Sequence, residues 1–291
     1  MSRHFSVIGA GVVGTAVGRL LRDKGYEVEG VVSRGLEKAR KAAAFIGGGR
    51  PGTDIVNGAA GADWVFIATP DKAIEDTCGR IAAGGGFKRG ALVAHFSGAL
   101  GSGVLASARD CGARVISLHP IQSLASVEQA VKNLPGSYFS AEGDPEAMGD
   151  AAEIVEALGG MLLEIPTDKK PLYHAGAVIA SNYLVTVVDF AVMVFVSLGM
   201  KREDALRAIL PLIQGTVKNI EKVGVPDALT GPVARGDVET VRGHVVALAN
   251  VMPEMLALYK ELGRHAVAVG RAKGTLGSED ANKLMDIFNQ S

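Results

Sequence analysis

The stretch FSVIGAGVVG, residues 5–14, decides the fold. An apolar run of strand length leads into a G-x-G-x-x-G turn, and a helical pattern opens directly behind it. In such a turn Gly9 permits the tight bend, Gly11 lets the backbone approach a pyrophosphate, and Gly14 lets the helix pack closely on the strand. The N-terminus of the helix offers unpaired N–H groups and a partial positive charge to the phosphates. The stretch therefore predicts a dinucleotide-binding βαβ unit.

The rest of the first half repeats this alternation of short strands and helices. Further apolar runs of strand length, with helical patterns between them, lie at residues 26–32, 63–68, 91–96 and 114–118. A glycine-rich stretch at residues 47–52 predicts a loop. The alternation predicts an α/β fold with a Rossmann doubly wound, mostly parallel sheet.

The pattern changes after residue 166, and beyond it the sequence predicts helices alone. The long helical runs occupy residues 169–198, 202–223, 237–262 and 279–289. We therefore expect a dinucleotide-binding Rossmann domain over residues 1–166 and a helical substrate and dimerisation domain over residues 167–291, with a cleft between them.

The first of these helices is apolar enough to be mistaken for a membrane span. Residues 175–200 are nearly all apolar, but Asp189 lies near the middle, where a charge costs about 3 kcal/mol on insertion scales. Ser181 and Asn182 add polar groups. The sequence favours a helix that is buried on most sides over a membrane helix.

Composition narrows the class of partner. Lys and Arg number 30 against 31 acidic residues, so charge gives no argument for nucleic acid or an anionic membrane, and a small molecule is the expected partner. Cys78 and Cys111 have no metal-ligand spacing, and no metal site is expected. The N-terminus shows no signal-peptide pattern, which predicts a cytoplasmic protein.

The residues that follow the second strand indicate which dinucleotide binds. In NAD enzymes an acidic residue about 20 positions after the glycine turn accepts from the ribose 2′-hydroxyl. Here Ser33 and Arg34 occupy that place, and a guanidinium suits a 2′-phosphate. The sequence thus favours NADP over NAD, with a merely solvated Arg34 as the alternative.

Loops after the later strands face the same edge of a parallel sheet. Asp71 in the first of these loops is interpreted as the N-cap of the following helix. The predicted cofactor contacts are Gly9, Gly11, Val12, Val13, Gly14, Ser33, Arg34, Thr69, Pro70, Ser97 and Gly98.

Hydride transfer also needs a group that handles the accompanying proton. His119 ends a predicted strand, while His174 and Asn182 are eight residues apart and share one face of a helix. His174, Asn182 and His119 are therefore the candidate catalytic residues, with Ser97 and His119 facing nicotinamide or substrate. The alternative for the polar helix face is a satisfied core network or a subunit contact.

A wider resemblance is carried by residues 9–14, 33–34, 69–71, 95–98, 119–120, 173–175, 181–182 and 229–237. Together they resemble bacterial two-domain oxidoreductases with a Rossmann-like N-terminal domain and a helical C-terminal domain of unknown function. These are related to pyrroline-5-carboxylate reductase, ketopantoate reductase and 6-phosphogluconate dehydrogenase-like proteins. The resemblance implies a 6-phosphogluconate-dehydrogenase-like helical domain, a homodimer, and NADP in the cleft.

The hydroxyacid-dehydrogenase branch of these relatives carries a catalytic lysine, followed along the same helix by an asparagine. We interpret the corresponding face here as offering His174 and Asn182 instead, with no lysine. That departure argues against standard β-hydroxyacid dehydrogenase chemistry.

These observations predict an NADP-dependent oxidoreductase that transfers a hydride between nicotinamide and a small carbonyl or imine compound. The alternative is a non-catalytic NADP(H)-binding or sensing protein that acts through its helical dimerisation domain. A Rossmann methyltransferase is disfavoured, because the glycine turn serves a pyrophosphate that its cofactor lacks.

Overall fold

The computed structural model describes residues 3–290. The chain divides into two compact units, one ending at Asn182 and the other beginning at Tyr183. This division falls inside the long apolar helix. The domain boundary between residues 166 and 167, and the cleft, stay predictions.

The first unit is built on one eight-stranded sheet within the described residues. Its strands are β1 (His4–Ile8), β2 (Glu27–Val32), β3 (Arg50–Gly52), β4 (Trp64–Ile67), β5 (Leu92–His95), β6 (Arg114–Pro120), β7 (Tyr138–Gly143) and β8 (Met161–Glu164). Their spatial order is β3-β2-β1-β4-β5-β6-β7-β8, and only the pairing of β6 with β7 is antiparallel. The predicted mostly parallel, doubly wound sheet is confirmed.

The helices of this unit follow the strands as the alternation predicts. They are α1 (Val12–Asp23), α2 (Leu36–Ile46), α3 (Ile55–Ala59), α4 (Ile74–Ala83), α5 (Ala106–Asp110), α6 (Val127–Asn133), α7 (Met148–Ala157) and α8 (Lys170–Val178). Short 3₁₀ turns occupy Asp71–Ala73, Ser102–Leu105, Pro145–Ala147 and Thr167–Lys169. A π-helical turn, Ile179–Tyr183, follows α8.

The strands read as continuous apolar runs because both faces of the sheet are covered. In β4, Trp64 and Phe66 belong to the core on one face, while Val65 and Ile67 belong to the core on the other. All four side chains are fully buried. This alternation with a period of two is the geometry of a strand.

The loop predicted over residues 47–52 was wrong for its last three residues. Arg50–Gly52 forms the short edge strand β3, which pairs in parallel with β2. Pro51 lacks a backbone N–H, and an edge position tolerates that loss because the outer side of an edge strand has no ladder partner.

Helix α3 and strand β2 approach each other with glycine against glycine. A Cβ added to Gly30 would lie 2.2 Å from the carbonyl oxygen of Gly58, and one added to Gly58 would lie 2.1 Å from Cγ2 of Val32. Neither position has room for a side chain, so this contact depends on both glycines.

A buried carboxylate joins several elements of the sheet layer. Asp150 on α7 is 2% exposed in its side chain and forms ion pairs with Arg3 and Arg114. It also accepts a hydrogen bond of 3.1 Å from Nε1 of Trp64. The carboxylate therefore connects α7 to the chain ahead of β1, to β4 and to β6.

The second unit contains helices and no strand among its described residues, as predicted. Its helices are α9 (Leu184–Ser197), α10 (Arg202–Val223), α11 (Pro232–Arg235), α12 (Val238–Val251), α13 (Pro253–Lys273) and α14 (Ser278–Asn289). The single helix predicted over residues 237–262 is two helices, because Pro253 opens α13 at the position where proline is favoured. Asp237 caps α12 by accepting from the N–H of Thr240 at 3.2 Å.

The expectation that the long apolar helix is buried on most sides was wrong. Thr167–Ser197 is a 31-residue helical run, and only 11% of its apolar window is buried by the rest of the chain. Among the described residues it is the one helix long and apolar enough to cross a membrane. By itself this is weak evidence for a membrane span, because core helices of soluble proteins pass the same test.

Candidate functional site

A cavity of about 850 Å³ lies at the carboxyl ends of the central strands, where open α/β sheets bind their ligands. Nine of the eleven predicted cofactor contacts line it: Gly9, Gly11, Val12, Val13, Ser33, Arg34, Thr69, Pro70 and Ser97. Gly14 and Gly98 are not among the lining residues, and both have packing roles instead.

The glycine turn has the geometry that its sequence predicts. Gly9 has a φ of +112°, and a Cβ there would lie 2.6 Å from the carbonyl carbon of Ala68. A Cβ on Gly14 would lie 2.7 Å from Cβ of Ala68, so α1 packs closely on the sheet. A Cβ on Gly11 would make only an ordinary contact. The requirement for glycine at Gly11 therefore rests on the predicted approach of a ligand.

Basic residues line the part of the cavity behind β2. Arg34 follows the strand and Lys38 lies in the first turn of α2. Within residues 3–290 neither side chain forms an ion pair. Sequence reasoning missed Lys38, although it is a second basic residue shortly after Arg34.

Two features of this cavity indicate that a dinucleotide fits it. The first turn of α1 begins at Val12 behind Gly11, which provides no side-chain cap, so its N–H groups remain available to phosphate oxygens. The hydroxyl oxygen of Thr69 is buried and has no hydrogen-bond partner in the described part of the chain. These donors, together with the basic residues, fit the phosphates of a dinucleotide.

Asp71 does not cap a helix, so its interpretation as an N-cap was wrong. It begins a 3₁₀ turn, and its Oδ2 accepts a hydrogen bond of 2.7 Å from the hydroxyl of Ser97. The Ser97 hydroxyl in turn accepts from the N–H groups of Ala99 and Leu100 at 3.2 and 3.0 Å. Ser97 thus links the ends of β4 and β5 at the cavity wall.

His95 shapes the loop that carries Ser97. The N–H of Ser97 donates to Nδ1 of His95 at 3.1 Å, so the ring proton lies on Nε2 and faces the carbonyl of Gly101 at 3.2 Å. Burial lowers the pKa of His95 to about 4. Because the neutral ring of His95 uses both nitrogens for hydrogen bonds to the backbone, we assign His95 a structural role.

The structure brings His119 and His174 together, and Gly98 makes this possible. The two rings meet edge to face with centroids 6.1 Å apart. A Cβ on Gly98 would lie 2.5 Å from Cδ2 of His174 and 2.8 Å from Nε2 of His119. Asn182, the third candidate, lies further along in the π-helical turn, a feature frequent at functional sites.

His119 is held in its neutral form. Its Nδ1 lies 2.7 Å from the hydroxyl oxygen of Tyr173. Burial, followed by the positive charge of Lys170, lowers the pKa of His119 to about 4. Burial also raises the pKa of Tyr173, so the phenol keeps its proton at neutral pH.

No lysine lies between His174 and Asn182, as expected from the sequence, but a lysine lies one turn earlier on the same helix. Lys170 is the first residue of α8, four residues before His174, and it is only 1% exposed. Helical spacing places both on one face. Sequence reasoning also left Tyr173 out of the candidate set, although it adjoins His174.

Comparison with solved structures shows a similar fold over most of the chain. Protein TM1727 of Thermotoga maritima is 26% identical, with a TM-score of 0.74 and coverage of 93% of this chain and 99% of that chain. BF3122 of Bacteroides fragilis, which carries the name of an NADP oxidoreductase, is 23% identical, with a TM-score of 0.70 and coverage of 91% and 98%.

More distant structures share the fold. A reductive aminase from Aspergillus terreus, in complex with NADPH and ethyl-5-oxohexanoate, is 17% identical, with a TM-score of 0.60 and coverage of 99% of this chain and 93% of that chain. No curated protein sequence matches the chain.

Two family models account for most of the sequence. A Rossmann-like domain matches residues 2–120, and the domain of unknown function DUF2520 matches residues 137–266. The second match begins at the strands β7 and β8 and continues through the helical unit, which agrees with the resemblance inferred from the sequence. The chain therefore matches a Rossmann-like domain in its first part and a DUF2520 domain in its second.

Proposed function

We propose that the protein is an NADP-dependent oxidoreductase acting on a small carbonyl or imine compound. The observation that carries this proposal is the cavity itself, with the glycine turn and α1 at one wall. At another lie Arg34 and Lys38, which form no ion pair within residues 3–290. The similar fold of a reductive aminase that binds NADPH supports the choice. The bound cofactor would supply the hydride.

The remaining chemistry falls to side chains in the cavity wall and next to it. His119 and His174 are assigned to proton handling, because they lie together at the carboxyl edge of the sheet. Asn182 is assigned to orienting the substrate, and Ser97 to contact with nicotinamide. Thr69 offers its hydroxyl as a donor to the cofactor.

The cofactor assignment is tested by titrating the protein with NADPH and NADH. We expect NADPH to bind more tightly, and the double variant Arg34→Ala/Lys38→Ala to weaken NADPH by about tenfold to a hundredfold. NADH binding should change little, since it lacks the 2′-phosphate. Arg40→Ala is the matched control, because Arg40 is an exposed α2 residue paired with Glu37.

Equal or tighter binding of NADH in the unaltered protein contradicts the assignment to NADP. The competing function is that of a non-catalytic NADP(H)-binding or sensing protein. A turnover assay distinguishes it from the proposed oxidoreductase. Oxidation of NADPH by any member of a panel of carbonyl and imine compounds excludes the non-catalytic role.

We propose further that the protein is a homodimer formed through its helical unit. Large apolar side chains stand exposed on neighbouring helices: Val185 on α9 is 68% exposed and Leu212 on α10 is 72% exposed. Exposed apolar surface of this kind marks interaction sites. A formal net charge of −1 gives two copies little reason to repel each other.

A further inference from the structure

Lys170 is a buried cation whose hydrogen-bonding capacity is unused. Its side chain is 1% exposed, and Nζ has no hydrogen-bond partner among residues 3–290. An ammonium carries three donors, and burying it without partners is unfavourable. Burial accordingly lowers the pKa of Lys170, and the carboxylates of Glu142 and Asp71 oppose that shift.

The nearest compensating charge does not bind Lys170 directly. Glu142 is 1% exposed, and its two oxygens accept from the N–H of Ser102 at 2.7 Å, the hydroxyl of Ser102 at 2.9 Å and the hydroxyl of Thr167 at 2.9 Å. All three donors are uncharged. In the described chain Glu142 and Lys170 form no ion pair within 4.0 Å. The carboxylate thus favours the cation while leaving its N–H groups unoccupied.

Lys170 lies near the hydrogen-bonded pair of Tyr173 and His119. Its Nζ is 5.9 Å from the centroid of the Tyr173 ring, and the Tyr173 hydroxyl is 2.7 Å from Nδ1 of His119. A nearby positive charge disfavours a protonated imidazole and favours an ionised phenol. Both effects make the Tyr173–His119 pair a better proton donor.

We propose that Lys170 is a positioning residue whose buried charge controls the Tyr173–His119 pair, and that Tyr173 is the proton donor of the site. This rests on the proposed reductase function. When a hydride adds to the carbon of a C=O or C=N bond, the π electron pair moves to oxygen or nitrogen, which must take up one proton. Tyr173 supplies that proton, and its phenolate regains one from water.

His119 supports the donation through its tautomer. With its proton on Nδ1, the neutral ring donates to the phenol oxygen, which leaves the hydroxyl hydrogen free for the substrate. The same N–H stabilises the phenolate after transfer. Other titratable groups facing His119 are His174 on α8, Asp71 after β4 and His95 on β5.

The inference is tested by following the ring signals of His119 by NMR in the full-length protein, with His119→Gln used for assignment. In Lys170→Met and Lys170→Gln we expect the His119 pKa to rise by about one, because a like charge has been removed. Lys170→Arg keeps the charge and should restore the wild-type titration. Agreement between the two neutral variants excludes altered packing as the cause.

A second readout addresses Tyr173 directly. Tyr173→Phe should change the Nδ1 chemical shift of His119 while NADPH binding stays within about twofold. For any panel compound that oxidises NADPH, the same variant should lower kcat by about a hundredfold or more.

Two results overturn the inference whatever the panel gives. The first is a wild-type His119 that titrates near its ordinary value of 6.5. The second is an unchanged His119 titration in both neutral Lys170 variants. Failure of NADPH to bind contradicts the proposed function instead, and it is measured separately from these titrations.

Discussion

At the scale of single residues, Gly98 decides whether the two candidate histidines can meet. Gly98→Ala would place a methyl group within 2.8 Å of His119 and closer still to His174. We expect both imidazole NMR signals to move and any turnover to fall by about tenfold or more, since small misplacements of reacting groups cost that much. NADPH affinity should change little, because Gly98 does not line the cavity.

The control for this change is Gly103→Ala, because a Cβ at Gly103 meets nothing within 4 Å. If Gly98→Ala left the signals of His119 and His174 unchanged, the packing described for the three residues would be wrong.

His95 makes a prediction about acid stability. Its pKa is about 4 in the folded protein and 6.5 ordinarily, so the unfolded chain binds more protons between these values. Stability then rises with pH across that window and is lost as pH falls from 6.5 towards 4, by up to about 3 kcal/mol. The measurement is the melting temperature at pH 7, 6 and 5. A His95→Gln variant should lose less stability on acidification, and an equal loss would contradict this account.

At the scale of elements, the Asp150 carboxylate holds the layer of α7 against the sheet. Asp150→Asn would leave Arg3 and Arg114 without their shared anion, and we expect about 2–3 kcal/mol less stability to urea unfolding because Asp150 is buried. Asp23→Asn is the control, since its ion pair with Arg19 is exposed. A loss no greater than that of the control would contradict this role.

Some of these strands and helices could be predicted from the sequence and others could not. The strands β4 and β5 could be predicted because burial on both faces makes them continuous apolar runs between polar loops. The edge strand β3 could not, because three residues with glycine and proline carry no strand period. Pro253 was a readable signal for a new helix, but the apolar pattern continued across it and favoured one long helix.

Site residues could be predicted from the sequence where the backbone geometry requires one residue type. Other site residues were harder to predict. Gly9 and Gly14 could be placed because a positive φ and a close approach demand glycine. Lys170 was missed because lysines are rarely buried, and beside Lys169 it resembles the solvated flank of an apolar helix. Their environments differ: Lys169 is 63% exposed in its side chain and Lys170 is 1% exposed.

At the scale of the whole molecule, the exposed apolar helices predict self-association. We expect sedimentation to give twice the mass of one chain, and Leu212→Asp to shift the protein towards a single chain, because a buried charge is costly at an apolar interface. Gln214→Asp is the matched control, since two residues apart on α10 is close to the opposite face. A single-chain mass for the unaltered protein would contradict the homodimer.

The contact between Gly30 and Gly58 has a consequence for reading sequence variation. The backbone of Gly58 excludes a side chain at Gly30, and the side chain of Val32 excludes one at Gly58. A single change at either position should therefore be eliminated by misfolding, even though neither residue lines the cavity. A saturation library would score these two codons as intolerant alongside Gly9. Intolerance at Gly30 and Gly58 reflects the close packing of β2 against α3. If positions were ranked by intolerance alone, these two residues would be assigned to a ligand site although they bind no ligand.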